Sequence, residues 1–422
     1  MNLTKKRWII LIASCFINLC IGSIYAWSVF ATPMAEYLSE ITGIAYTAGT
    51  LAIVFTVTNS VGPITMITGG RINDKFGPKK VIFFGGVIFG LGMILAGFSK
   101  SLPMLILTYG IITGLGVGMV YGCTISNSVK FFPDKRGLVG GVTTAAYGFS
   151  SVITPPIANL LTTKFGITSS FKVIGLVFLI IVCVSSFFIE KCPADFIPEG
   201  WTPPTAKGSA ANKVDKDWKE MISTPIFYVM IVLLTCGAFY GLMCTSLASA
   251  IAQNMIGMTA AAAAIVVSVL ALFNTGGRIV AGYISDKIGR INTLALAFVL
   301  SIAGLGCLIF SGEGDTGLFY VGISIIGVCF GAFMGVFPGF TVDQFGVRNN
   351  SVNYGIMFIG FAFAGYVGPM VLKNVYASDG SYQRAFIIAI VIAIIGLLLT
   401  FVYKYMNNKE IHKVKNQRSV NR

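Results

Sequence analysis

The stretch FNTGGRIVAGYISDKIGR, Phe273 to Arg290, holds two kinds of positive charge. Lys287 and Arg290 stand in a polar clause, SDKIGR, that reads as a loop. Arg278 stands upstream, in the second half of an apolar run from Thr259 to Ala281. About 20 apolar residues cross the hydrocarbon of a bilayer, so this run is long enough. An arginine inside such a run needs a reason, and the rest of the chain says whether the run is a membrane span.

Composition says that it is. Of 422 residues, 55% are hydrophobic and only 11% charged, and the mean hydropathy is +0.82. A soluble domain of this length carries far more charged surface. Twelve spans are expected, near 8–30, 44–68, 81–98, 103–128, 138–161, 170–189, 226–250, 259–281, 293–311, 316–340, 352–375 and 384–405. The longest polar interruption, EKCPADFIPEGWTPPTAKGSAANKVDKDWKE from Glu190 to Glu220, falls after the sixth. The expected organisation is a six-helix bundle over 1–189, a linker over 190–220, a second bundle over 221–406 and a basic tail over 407–422. Trp8 to Phe30 is too long for the apolar core of a cleavable leader, and none is expected.

The net charge of +14 is no nucleic-acid footprint, because the bases are scattered among short loops. They mark topology instead. One side collects Lys5 to Arg7, Arg71 to Lys80, Lys130 to Arg136, the linker lysines, Lys287, Arg290, Arg348 and the tail; the other receives Lys100, Lys164, Lys172, Lys373 and Arg384. Both termini and the linker are therefore expected in the cytoplasm. Nine cysteines form no CxxC pair, and His412 is the single histidine. No metal site, cofactor or catalytic group is expected, and the chain does not read as an enzyme.

The two halves echo each other. GRINDKFGPKK follows the second expected span and GYISDKIGR the eighth; Gly70, Asp74, Lys75 and Gly77 match Gly282, Asp286, Lys287 and Gly289 at one constant offset. Gly22-Ser-Ile-Tyr25 and Gly237-Ala-Phe-Tyr240 repeat G-x-x-Y in spans one and seven. Repeated halves around a linker are the signature of a transporter whose bundles rock about a central site. GLGVGMVYG, Gly114 to Gly122, lies inside a span with no following lysine, which fits close helix packing rather than a phosphate loop.

The two loops resemble the signature loop of the major facilitator superfamily, the first departing where Pro78 precedes the closing Lys79. IYAWSVFATP, GMVYG with FFPDKRGL, TTAAYG, FNTGGRIVAGYISDKIGR and FGVRNNSVNYG are similar to the oxalate/formate antiporter family, a relation of the monocarboxylate porters. The resemblance spans essentially the whole chain. It implies an all-α membrane protein of twelve transmembrane helices in two pseudo-symmetric six-helix halves, in a bacterial cytoplasmic membrane. Asp74 and Asp286 are placed to cap or pair at cytoplasmic helix ends, with the nearby Arg and Lys bridging to neighbouring helices. The resemblance to the superfamily implies that such contacts (here of Gly70, Arg71, Asp74, Gly77, Gly282, Asp286, Gly289 and Arg290) stabilise the outward-facing state. The plainer reading, solvated loop charge that marks topology, is compatible with it.

Every acidic residue lies in a loop, the linker, a span end or the tail, whereas Arg278 lies within a span. A charge at bilayer depth costs about 2.5–3.5 kcal/mol on insertion scales, so it normally faces a cavity. Two readings follow from the residues alone: the guanidinium fork holds a substrate carboxylate, or it snorkels to the nearby span end. The resemblance favours the first, since the family's anion-binding arginine stands here. Oxalate-type members add a lysine in span eleven, where this chain has Phe361. One cation suits one carboxylate, which implies a monocarboxylate such as pyruvate, lactate or formate. Tyr25, Tyr121 and Tyr147 match positions whose hydroxyls face substrate; Phe330, Met334, Phe358 and Phe361 match cavity walls; Tyr240 follows from the internal repeat. Asn274 lies one turn before Arg278, where eukaryotic monocarboxylate porters place a titrating carboxylate. The coupling partner stays open between a proton and a counter-anion. An exchanger of the oxalate/formate type and a non-transporting sensor remain the alternatives. A monomer in the lipid bilayer is expected to suffice.

Overall fold

A computed structural model describes residues 2–193, 196–202 and 215–420; the middle of the expected linker, 203–214, lies outside the described residues. Twelve long helical segments succeed one another: α1 Leu3–Thr42, α2 Ala52–Phe76, α3 Pro78–Ala96, α4 Leu102–Phe131, α5 Arg136–Phe165, α6 Ile167–Ser186, α7 Pro225–Ile256, α8 Ala260–Ile288, α9 Arg290–Phe310, α10 Thr316–Phe345, α11 Asn350–Asp379 and α12 Gln383–Val420. Eleven are long and apolar enough to cross a membrane, and α5 is not among them. Its polarity explains this: Thr143, Thr144, Ser150 and Thr154 are buried within its protein contacts. No strand occurs among the described residues.

The helix ends correct the sequence reading. The second span was expected over 44–68 and the eighth over 259–281, with the signature motifs as loops. Instead α2 runs to Phe76 and α8 to Ile288. Thus GRINDKF and SDKI are the last turns of helices, and the reversals are confined to Gly77 (φ 93°) and Gly289 (φ 88°). Only glycine adopts that backbone freely. Pro78 then opens α3 at the position where a missing N–H costs nothing. Hydropathy marks where polar side chains begin, not where helical hydrogen bonds stop. The first span is longer than expected for the same reason: α1 continues through Pro33, Glu36 and Glu40 to Thr42, after a tight 3-10 turn at Gly22–Ala26.

Two compact units form. Unit 1 takes Met1–Asp134, Val142–Glu199 and Arg348–Ile356; unit 2 takes Lys135–Gly141, Gly200–Val347 and Met357–Arg422. The first turns of α5 and α11 are thereby exchanged relative to the expected halves. In unit 1, α1 packs on α4 and α6, α2 on α4, and α3 on α4 and α6. In unit 2 the same pairs recur with every number raised by six: α7 on α10 and α12, α8 on α10, and α9 on α10 and α12.

Glycine explains the closest pairs. Lipid is as apolar as leucine, so helices in a bilayer associate through close backbone packing. A Cβ on Gly118 of α4 would lie 2.0 Å from the Gly62 carbonyl oxygen of α2, and one on Gly114 would lie 2.6 Å from that of Thr58. On α10, Gly331 and Gly335 meet the carbonyls of Asn274 and Arg278 at 2.2 and 2.3 Å. Small residues four apart thus clamp α2 in one unit and α8 in the other.

Candidate substrate site and signature loops

Arg278 is set by that clamp. Gly335 holds its carbonyl from α10, and a Cβ on Gly141, in the segment of α5 grouped with unit 2, would lie 2.2 Å from the same oxygen. The side chain is 2% exposed. Its Nε donates to Asn274 Oδ1 at 2.9 Å, the i,i+4 geometry of one helix face. α8 continues for ten residues beyond it, to Ile288, or about 15 Å at 1.5 Å per residue. Snorkelling carries a guanidinium out to solvent, and here the residue is 2% exposed.

Around the same clamp, the Phe330 ring stacks on Phe361 (6.3 Å between centroids, 8° between planes), and Phe361 on Phe358 at 4.5 Å. Phe330 stands on α10, and Phe358 and Phe361 stand on α11. Met334 is buried beside Gly335 in sequence. Tyr240 is fully buried, its ring edge-on to Phe333 at 6.4 Å. It belongs to the packing of α7 on α10.

In unit 1 the structure brings together the three tyrosines. Tyr147 of α5 lies 5.2 Å from Tyr25 and 4.7 Å from Tyr121, ring centroid to centroid. Gly22 makes this possible, because a Cβ there would sit 2.1 Å from the Tyr147 carbonyl. The G-x-x-Y pattern therefore has a local cause: the glycine lets α1 approach α5, and the tyrosine one turn on meets Tyr147.

The signature residues cap helices. In unit 2, the Asp286 carboxylate accepts from the N–H groups of Gly137 and Leu138, each at 2.9 Å. Arg290 reaches Asp286 at 2.6 Å and Asp343 at 2.8 Å, and Arg136 joins Asp343 at 2.8 Å. In unit 1, Asp74 accepts from Ser351 and Val352 N–H at 3.4 and 3.2 Å and pairs with Lys130 at 2.8 Å. A carboxylate at a helix N-terminus satisfies orphan donors and meets the positive end of the helix dipole. Gly70 and Gly282 stand one turn earlier, where a Cβ would strike Ser351 at 2.8 Å or the Gly137 carbonyl at 2.3 Å. Arg71 is exposed on α2.

Sequence reasoning missed six participants here. Lys130 and Asp343 end α4 and α10, and Arg136 completes the unit 2 network. Asn73 donates to Ser351 Oγ at 2.6 Å, and Ser351 in turn to Ser126 at 2.9 Å. One signal was available: Arg136 and Arg348 are separated by the same offset as Asp74 and Asp286.

Residues 15–369 match the Major Facilitator Superfamily. The chain is 29% identical over 421 residues to the oxalate:formate antiporter of Oxalobacter formigenes, covering 98% of this chain and 96% of that one. It is 23% identical over 407 residues to human monocarboxylate transporter 12, covering 90% and 77%. Among solved structures, the transporter FucP in its outward conformation superposes with a TM-score of 0.67 at 15% identity, covering 92% of this chain and 98% of that one. With twelve long helical segments among its described residues, repeated helix pairings and paired signature motifs, the chain belongs to the Major Facilitator Superfamily, as a multi-pass membrane transporter related to the oxalate/formate antiporters and the monocarboxylate porters.

Proposed function

We propose that this transporter carries small organic anions with one carboxylate, of the pyruvate, lactate and formate class, by alternating access, with Arg278 binding the carboxylate. One observation carries the reading: a guanidinium 2% exposed, ten residues inside α8, oriented by a neutral amide. Asn274 fixes the plane of the fork without cancelling its charge. A planar fork matches a carboxylate in two parallel hydrogen bonds, which a lysine cannot reproduce. The names of the relatives, one an oxalate:formate antiporter and one a monocarboxylate transporter, support an acid anion as cargo.

The remaining assignments follow that anchor. Tyr25, Tyr121 and Tyr147 offer hydroxyls on apolar rings, suited to a compact organic anion. Phe330, Met334, Phe358 and Phe361 supply the apolar wall. Phe361 stands where the resemblance to oxalate carriers implies a second cation, and its ring favours a monoanion. Asn274 cannot titrate, so coupling runs by anion exchange or by a proton carried with the substrate. The Asp74 and Asp286 caps stabilise one of the transporter's alternating states. The protein works as a monomer in the cytoplasmic membrane, with both termini inside.

Uptake and counterflow in proteoliposomes test the reading. Arg278→Ala is expected to abolish flux of pyruvate, lactate and formate while insertion and monodispersity survive. Arg278→Lys is expected to retain a small part of it. Normal flux in a correctly inserted Arg278→Ala protein overturns the assignment. Saturable oxalate flux that no monocarboxylate competes with replaces the monoanion reading by a dianion exchanger. Binding without flux in the wild type replaces transport by sensing.

A further inference from the structure

The first signature loop is one residue longer than the second. Asp286 is followed by its closing base four residues on, at Arg290, and Asp74 only five on, at Lys79, because Pro78 intervenes. One extra residue turns a side chain about 100° around the following helix. Arg290 accordingly folds back onto Asp286 and Asp343, whereas Asp74 takes Lys130 from α4. Lys79 is left facing outward, with its Nζ 5.1 Å from the centroid of the Phe187 ring.

The outward turn builds a basic recess. Phe76, Gly77, Pro78, Lys79, Lys80, Glu190 and Lys191 line a cavity of about 300 Å³. Lys191 lays its stem on Gly77 and donates to the carbonyls of Asp74 and Lys75 at 3.4 and 3.1 Å. Glu190, the one carboxylate in the lining, is paired with Lys6 at 2.6 Å. The recess opens at the edge of an apolar surface. Phe76, Phe187 and Phe84 are 65%, 60% and 59% exposed, and exposed Leu91, Ile180 and Val184 extend that surface along α3 and α6. The matching residues of the second loop, Arg290-Ile-Asn292, hold no such lysine pair.

We propose that this recess binds the phosphate of an anionic phospholipid, with the acyl chains lying over Phe84 and Phe187. Two features select a lipid over a free anion. The lysines are exposed and spread over the recess wall, so each contributes only the modest attraction of a base near a charged surface. The exposed aromatic rings begin where the lysines end, as side chains do at the boundary between headgroups and hydrocarbon. A lipid satisfies both surfaces with one molecule, and inorganic phosphate satisfies one.

Native mass spectrometry of the full-length protein, released from membranes of mixed phosphatidylglycerol and phosphatidylcholine, tests this. The wild type is expected to retain phosphatidylglycerol about tenfold over phosphatidylcholine. The double variant Lys79→Gln, Lys80→Gln is expected to lose most of that preference with its melting temperature unchanged. Removing the same charge at Lys5 and Lys404 is expected to keep it. The proposal is overturned if the wild type shows no preference. It is equally overturned if the control loses as much as the double variant, which marks a general charge effect, or if millimolar inorganic phosphate displaces the lipid, which marks a free-anion site.

Discussion

At the end of α2 and at the end of α8 an aspartate accepts the first N–H groups of another helix. Asp74 takes Ser351 and Val352 within unit 1, and Asp286 takes Gly137 and Leu138 within unit 2. The glycine one turn earlier admits the close approach in both. The charges around the two aspartates differ. Asp74 is served by one lysine from α4, whereas Asp286 belongs to a chain of four charges that passes through Arg290 and Asp343 to Arg136. The repeat has kept the backbone device and let the ion pairs diverge. The same holds deeper in each unit. Glycines on α4 and α10 clamp α2 and α8 alike, yet unit 1 gathers three tyrosines, and unit 2 an arginine and a phenylalanine stack. What the units share is packing, and what distinguishes them is chemistry.

The shared packing gives the largest expected effect. Alanine replaces glycine in a helix with a gain of about 1 kcal/mol in propensity, so the clash must exceed that gain to matter. At Gly335 the new Cβ lies 2.3 Å from the Arg278 carbonyl, a backbone atom that cannot swing aside. Overpacking costs about 1–3 kcal/mol and at times more. Gly335→Ala is expected to lower transport tenfold or more and to reduce the melting temperature, and Gly118→Ala to do the same from unit 1. Gly306→Ala, where no atom lies within 4 Å, is expected to keep full transport. If Gly335→Ala behaves like Gly306→Ala, the clamp is not what sets Arg278.

Next come the diverged charges. Arg290 holds two carboxylates and Lys130 one. Breaking a charged hydrogen bond costs about 1.5–3 kcal/mol when the partner stays buried, and these groups are between 8% and 30% exposed. Arg290→Met is expected to lower the melting temperature by several degrees more than Lys130→Met. Equal losses would mean that the caps themselves, and not the ion pairs, carry the stability.

Much of this was legible in the sequence, for definite reasons. Twelve spans and two halves follow from apolar runs and one constant offset between repeats, and Arg278 stood out because charge inside an apolar run is rare. Membrane depth hid the rest. Hydropathy ends a span at the first polar cluster, so the capping role expected of Asp286 falls in a loop, whereas the cap is made from a continuing helix. For the same reason Arg278, three residues from the end of the expected span, lies ten residues from the end of α8. The tyrosines of unit 1 came from resemblance alone, since a ring inside a span looks the same whether it packs or lines a cavity. The partners Lys130 and Asp343 sit at the ends of other helices, where only tertiary structure pairs them with their aspartates.

The tyrosine cluster supplies a smaller test of the chemical difference between units. A hydroxyl that donates one hydrogen bond to an anion is worth about 1.5 kcal/mol at the low end of the charged range, or roughly tenfold in an equilibrium constant. Tyr147→Phe keeps the ring that packs on Tyr25 and Tyr121. It is expected to raise KM about tenfold with kcat little changed. Tyr240→Phe, altering a ring buried against Phe333 in unit 2, is expected to leave both unchanged. A reversal of that order moves the polar wall of the site from one unit to the other.

The smallest effect reads the asymmetry of the two bases directly. Burial pushes the Cys192 thiol, beyond the end of α6, from 9.0 up to about 12, and the Lys130 charge pulls it part of the way back. The folded value lies above the unfolded one. The stability this thiol contributes is therefore fully present below pH 9 and is lost as pH rises from there towards 12. The thiolate is the reactive form, so in a variant keeping only Cys192, alkylation is expected to be slow at pH 8 and to accelerate above pH 9. Lys130→Met removes the downward pull and is expected to slow it further, by a few-fold at most. Arg290→Met, whose base is committed to Asp286 and Asp343 in the other unit, is expected to leave the rate unchanged. An equal slowing by both variants would show that the two bases act through a common loosening of the fold and not through their separate surroundings.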